Sequence, residues 1–223
     1  MKTVLCLLVS SLVCVAQSTK PGVLIEAESF AYTGGWVVDQ QFVDQMGSAF
    51  LLAHGMGVPV ADAKTEIDVP VAGTYHVWVR TRYWVAPWKV AGSPGRFQVL
   101  LNGAPLTQTF GTEGAAWHWQ NGGTVRLKKG RTPVALHDLT GFEGRCDAIL
   151  LTMDAGLKPP DDGPVLKAFR KKLLGLAPEP ASAGTFDLVV VGGGMAGTTT
   201  TIAAAASTRA ISRTCSWRDG TSA

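Results

Sequence analysis

Tyr75-His76-Val77-Trp78-Val79-Arg80 alternates without a fault, with Tyr75, Val77 and Val79 on one face and His76, Trp78 and Arg80 on the other. A period of two is the mark of a strand with one face in a core. Before it stands the turn Ala72-Gly73, and before that Thr65 to Val69, an alternating run that stops at Pro70. Outward from here the texture repeats. Val23 to Ala27 and Ala49 to Leu52 are apolar runs, and turn-rich Tyr32-Thr33-Gly34-Gly35 lies between them. Phe97 to Leu101 runs into Asn102-Gly103, a hairpin signal because both residues accept the positive φ of a tight primed turn. Thr124 to Leu127 meets Lys129-Gly130, followed by Pro133 to Leu136 and Ala148 to Thr152. Short strands at this spacing, with no helix between them, predict a mainly β fold and a sandwich over residues 22–154.

Composition agrees. The chain has 223 residues, 46% of them hydrophobic, and a formal net charge of +3 spread along its length, with no basic run of the kind that binds nucleic acid. Its 26 glycines and 7 tryptophans suit a turn-rich β domain better than a helical bundle. Met1-Lys2, the apolar run Val4 to Ala16 and the small residues Ala16-Gln17-Ser18 read as a signal peptide over residues 1–18. That run is short of the roughly 20 apolar residues a spanning helix needs. The expected location is therefore secreted or periplasmic, with no membrane association after cleavage. Cys6 and Cys14 would leave with the signal, and Cys146 and Cys215 lie in unrelated contexts, so no native disulfide is expected.

Beyond the sandwich, residues 155–184 change character. Val165, Leu166, Phe169, Leu173 and Leu174 recur at helical spacing, with Lys167, Arg170, Lys171 and Lys172 between them. Asp162 suits an N-cap and Gly175 a C-cap, which predicts a short connector helix packing on a neighbouring domain. Ala177 to Gly184 is a Pro/Ala/Ser linker. Then comes Phe186-Asp187-Leu188-Val189-Val190-Val191, a buried-strand pattern, running directly into Gly192-Gly193-Gly194-Met195-Ala196-Gly197. Strand, glycine turn and small helix-compatible residues form the context in which G-x-G-x-x-G means dinucleotide binding. Gly192 allows the turn, Gly194 lets backbone approach a pyrophosphate, and Gly197 lets helix and strand pack close.

The segment Phe186 to Gly197 resembles the N-terminal motif of FAD-dependent oxidoreductases, in particular exported bacterial flavoproteins in which a sandwich module precedes the flavin domain, some of them labelled xanthan lyase-like. The resemblance implies FAD, held at Gly192, Gly193, Gly194, Met195, Ala196 and Gly197. The sequence then departs from the pattern. A second strand ending in an acidic residue belongs about 20 residues on, whereas Ser207 to Ala223 reads as scrambled polar sequence. Residues 185–223 are thus expected to be an incomplete Rossmann βα unit, truncated by a frameshift or an early stop and too short to retain the flavin.

Ile25-Glu26-Ala27-Glu28-Ser29-Phe30, Gly35-Trp36, Ala72 to Arg80 and Cys146-Asp147-Ala148-Ile149-Leu150-Leu151 together resemble the jelly-roll carbohydrate-binding modules of families 6 and 35. That resemblance implies a calcium ion held by Glu26, Glu28 and Asp147. Alternation puts both glutamates on one face and Ile25 and Ala27 on the other, and carboxylates are what a hard cation wants. Sugar recognition calls for aromatic planes stacked on pyranose faces. Trp84 and Trp88, in a Pro/Gly-containing loop, and Trp117, in Trp117-His118-Trp119, are the candidates; they bind ligand or pack on a neighbouring domain. Arg145 stands where sugar-binding members often carry asparagine. The four histidines show no metal-ligand spacing, and no catalytic constellation can be read from spacing. Two functions follow: the N-terminal part of an exported FAD-dependent oxidoreductase whose sandwich docks on glycan, or a non-catalytic, calcium-stabilised module for a polysaccharide.

Overall fold

The computed structural model describes residues 22–89 and 92–207. Ten strands lie among them: β1 (Gly22–Glu26), β2 (Val37–Asp39), β3 (Phe50–His54), β4 (Ala63–Val69), β5 (Gly73–Thr81), β6 (Phe97–Leu101), β7 (Ala104–Pro105), β8 (His118–Leu127), β9 (Gly130–Asp138) and β10 (Phe142–Thr152). They form two antiparallel sheets, β2-β3-β10-β5-β8 and β4-β9-β6-β7. β10 is the spine of the larger sheet. Its first half pairs with β3, its second half with β1, and its other edge with β5. Asn102 and Gly103 both take positive φ and close the β6–β7 hairpin. The expected mainly β sandwich is the observed fold.

Period two explains the core. Tyr75, Val77 and Val79 of β5 face inward with Ile149 and Leu151 of β10 and meet Phe97, Val99, Val134 and Leu136 of the other sheet. Trp36 caps this layer edge-on to Phe97, with ring centroids 5.6 Å apart. Cys146 lies in the core as a free thiol whose pKa burial pushes well up, so it packs as a small hydrophobe. Cys215 and the signal segment 1–18 lie outside the described residues, as does the scrambled tail from residue 208.

Helix α1 (Val43–Met46) is a single turn between β2 and β3. Two expectations need correction. The connector helix forms as α2 (Gly163–Leu173), yet it packs on the sandwich itself. The outer face of the larger sheet is apolar, with Leu24, Ala148, Leu150 and Trp119, and Leu166 of α2 is driven into it at 2% exposure beside Phe169 and Leu173. A sheet face with this much apolar surface needs a cover, and α2 supplies it. The helix ends in a Schellman motif: Gly175 is left-handed, Leu176 N–H donates to Lys171 C=O and Gly175 N–H to Lys172 C=O. Among the described residues, those up to Glu179 form one unit and those from Pro180 onward form a second.

In that second unit, α3 (Met195–Ser207) forms directly after the glycine turn, but Phe186 to Val191 is not a strand. Val189 and Val191 are exposed, and no ladder partner exists for this segment among the described residues. A parallel strand is held by neighbours on its edges, so the buried-strand pattern alone does not form one. No described helix is long and apolar enough to cross a membrane.

Because Leu166 fills the α2–sheet interface, Leu166→Ala should lower the unfolding free energy by about 2–4 kcal/mol, measured by urea denaturation. A loss within error would show that α2 is not part of the cooperative unit.

Candidate functional site

Two clusters of functional side chains lie on the larger sheet, and β10 builds both. At its start, a bulge between Phe142 and Gly144 interrupts pairing with β3 and leaves Glu143 at φ +67°. Bulges re-aim side chains next to sites. Here the bulge sets Phe142 outward under Trp84: their rings stack with centroids 5.8 Å apart at 18°, and Trp84 Nε1–H donates to Phe142 C=O at 3.1 Å. Trp88 joins edge-on to Trp84 at 6.2 Å and is 67% exposed. Gly95 makes room for this, since a Cβ there would stand 2.9 Å from Trp84 Cδ1.

Arg145 explains its own departure from the expected asparagine. It is nearly buried, its guanidinium lies 5.5 Å from the centre of the Trp84 ring, and its Nη2 donates to Glu143 Oε2 at 3.1 Å. The same carboxylate holds His54 Nδ1 at 2.5 Å. His54, Met56, Trp84, Gly141, Phe142 and Glu143 line an open cleft of about 370 Å³. The result is an aromatic platform with a histidine and a carboxylate at its edge, stiffened from beneath by an arginine.

Trp117 does not belong to this platform. It is 6% exposed, packed against Phe50 at 5.0 Å and Phe42 at 5.9 Å, with Arg80 over its ring. The loop context suggested exposure, but Phe42, Met46 and Phe50 from distant sequence close over it. Trp119 is likewise structural, its Nε1–H donating to Pro160 C=O at 2.9 Å. His137 pairs with Asp62 at 2.8 Å, while its sequence neighbour Asp138 is buried and accepts backbone N–H groups of Val60, Thr140 and Gly141.

The second cluster sits midway along β10. An extra residue opposite β5 between Cys146 and Ala148 turns Asp147 off the core face. There its carboxylate, fully buried, meets Glu26 from the end of β1 and Glu28 from the 3-10 turn that follows. Oxygens of all three fall within 4.8 Å of one another. The expected trio therefore converges. What the sequence reading did not place there is arginine. Arg80 Nη1 donates to Asp147 Oδ2 at 2.9 Å, and Arg170 of α2 donates through Nε to Glu26 Oε1 at 3.0 Å and through Nη1 to Asp147 Oδ2 at 3.0 Å. Burial opposes the Arg170 charge, but Asp147 and Glu26 outweigh it and raise its pKa. Among the described residues Glu28 has no guanidinium partner, and one of its buried oxygens lacks a hydrogen bond.

No protein-family model matches the chain. Over 139 residues it is 32% identical to a 1,6-alpha-glucosyltransferase of Sporosarcina globispora, covering 60% of this chain and 10% of that protein. It thus spans about a tenth of the length of the curated relative it matches. The fold is similar to carbohydrate-binding modules. A Podospora anserina GH26-CBM35 β-(1,4)-mannanase shares 24% identity over 64% of this chain and 30% of that one, with a TM-score of 0.47. A family 35 carbohydrate-binding module of Clostridium thermocellum shares 15% identity over 59% of this chain and 97% of its own, also at 0.47. The C-terminal CBM6 of LamC, a laminarinase of Zobellia galactanivorans, shares 20% over 59% and 99%, at 0.44.

Burial pushes Glu28 up to about 7 from 4.5, and Glu26 and Asp147 push the same way. A carboxyl raised on folding is protonated in the fold while the unfolded chain ionises, so its stabilising effect is full below pH about 4.5 and is lost as pH rises through about 7. The full difference is worth about 3 kcal/mol, and because the Glu28 residue as a whole is only half-buried, screening reduces that to about 1–2 kcal/mol. Melting temperature should therefore fall between pH about 5 and 8, and Glu28→Gln should flatten that slope; an unchanged slope in the variant would place the titration elsewhere.

Proposed function

We propose that this chain acts through its sandwich as a non-catalytic glycan-binding module, with the polysaccharide stacking on Trp88 and Trp84. The observation that carries this reading is Trp88. A tryptophan two-thirds exposed beside a second indole that is itself stacked, hydrogen-bonded and backed by a guanidinium is an apolar plane held in place for something flat. His54 and Glu143 at the edge offer a donor and an acceptor for hydroxyls. The resemblance of Ile25 to Phe30, Gly35-Trp36, Ala72 to Arg80 and Cys146 to Leu151 to families 6 and 35 supports the same class. The name of the curated relative, a 1,6-alpha-glucosyltransferase, makes a soluble α-1,6-linked glucan the first probe.

The second reading, the opening part of an exported FAD-dependent oxidoreductase, keeps one structural support. Gly192 takes φ +98°, and a Cβ at Gly197 would collide with the Gly192 carbonyl oxygen, so a tight glycine turn leads into α3 as that reading expects. The residues described do not fit FAD, however. The strand that would aim the glycine turn does not form, and no second strand brings an acidic side chain to a ribose among the described residues. On this account the sandwich, not the glycine segment, does the binding.

Affinity electrophoresis in gels containing α-1,6-glucan, β-1,4-mannan or β-1,3-glucan should retard the wild-type chain in at least one. Trp88→Ala should weaken that retardation by about tenfold, roughly 1.4 kcal/mol, without changing the melting temperature. Retardation unchanged in both Trp88→Ala and Trp84→Ala would remove the platform from the site.

A further inference from the structure

A calcium ion binds six to eight oxygens at about 2.3–2.6 Å, and the trio Glu26, Glu28 and Asp147 is the set expected to supply its carboxylates. The fit fails on occupancy. Arg170 reaches into the trio from α2, at 6% exposure, and takes up the oxygens of Glu26 and Asp147, leaving Glu28 as the one carboxylate of the three without a guanidinium. Nε and Nη2 take both oxygens of Glu26, and Nη1 takes Asp147 Oδ2. The remaining donors reach the other oxygens of the same pocket: Nη2 donates to Ser48 Oγ at 2.8 Å and Nη1 to the Met46 carbonyl at 3.3 Å. Ser48 in turn donates to Asp147 Oδ1 at 3.2 Å. Arg80 brings a second guanidinium to Asp147 Oδ2. Every ligand type a calcium site would use here (carboxylate, hydroxyl and backbone carbonyl) is already accepting from Arg170. A divalent cation would have to enter beside two buried positive charges.

From this we infer that Arg170 takes the place of the cation: together with Arg80 it balances the charges of Glu26 and Asp147 from within the chain, and the module folds without calcium. The device also explains why α2 lies on the sheet. A planar guanidinium with a fork of five N–H donors fills such a pocket as no lysine does, and it comes tethered to the helix that covers Leu24 and Leu150. The geometry carries a second consequence. Without the guanidinium, three carboxylates whose oxygens lie within 4.8 Å of one another, with Ser48 beside them, form an acidic pocket of calcium type.

The test compares the full chain with Arg170→Met and Arg170→Lys, each titrated with calcium chloride by calorimetry and melted in calcium or in chelator. The wild type should bind no calcium at millimolar concentration and melt at the same temperature in both. Arg170→Met should melt lower in chelator and rise by about 5 °C or more once calcium exceeds its Kd a hundredfold. Arg170→Lys should stay calcium-insensitive, because a charge remains in the pocket. Stoichiometric calcium binding by the wild type overturns the inference, and so does a folded Arg170→Met that gains nothing from calcium. If Arg170→Met does not fold in either condition, the wild-type calorimetry alone decides: heat of binding refutes the inference, and its absence upholds it.

Discussion

A charge buried among other charges must be met on every side, and Arg170 is the point at which this structure satisfies that demand. Removing one partner from a buried ion pair costs about 3–5 kcal/mol because the other is left stranded, so Glu26, Asp147, Arg80 and Arg170 stand or fall together. Their union fixes three things at once. It ties the end of β1 to the middle of β10, it holds the bulge that turns Asp147 off the core face, and it seats α2 on the outer face of the larger sheet. Leu166 and Arg170, one helical turn apart, show the division of labour: one fills an apolar socket, the other an acidic one.

The same strand that anchors this cluster positions the aromatic platform. β10 has two irregularities, one at Glu143 and one at Asp147, each adding a residue that the ladder does not pair. The first aims Phe142 and Glu143 into the cleft; the second aims Asp147 at the arginines. Between them Arg145 lies against Trp84, so the platform rests on a side chain set by the same backbone. Fold and site are therefore coupled through a single strand.

Much of the fold was legible because strands with one buried face write themselves in period two. Tyr75 to Arg80 and Phe97 to Leu101 did so plainly. β2 and β7, three and two residues long, are too short to show a period. Trp84 and Trp88 could be picked out as loop tryptophans, but Phe142, His54 and Glu143 join them only through the tertiary pairing of β3 with β10. Trp117 was misread because Phe42 and Phe50, which bury it, are remote in sequence. Arg170 did leave a signal. It falls four residues after Leu166 and three before Leu173, on the apolar face of α2, yet its charge argued for solvent. The segment Phe186 to Val191 shows the converse: an apolar run states a preference for burial, and it becomes a strand only where neighbouring strands exist to receive it.

The claim on which the account turns is that glycan meets this chain at Trp84 and Trp88. The most direct measurement is the set of indole N–H signals in a two-dimensional NMR spectrum, followed while a soluble oligosaccharide that binds is added. The account predicts that the signals of Trp84 and Trp88 shift with added sugar while those of buried Trp36, Trp117 and Trp119 stay in place. Shifts confined to the buried indoles, or backbone shifts gathered on the outer face of β4, β9 and β6 with the two platform indoles unmoved, would contradict it.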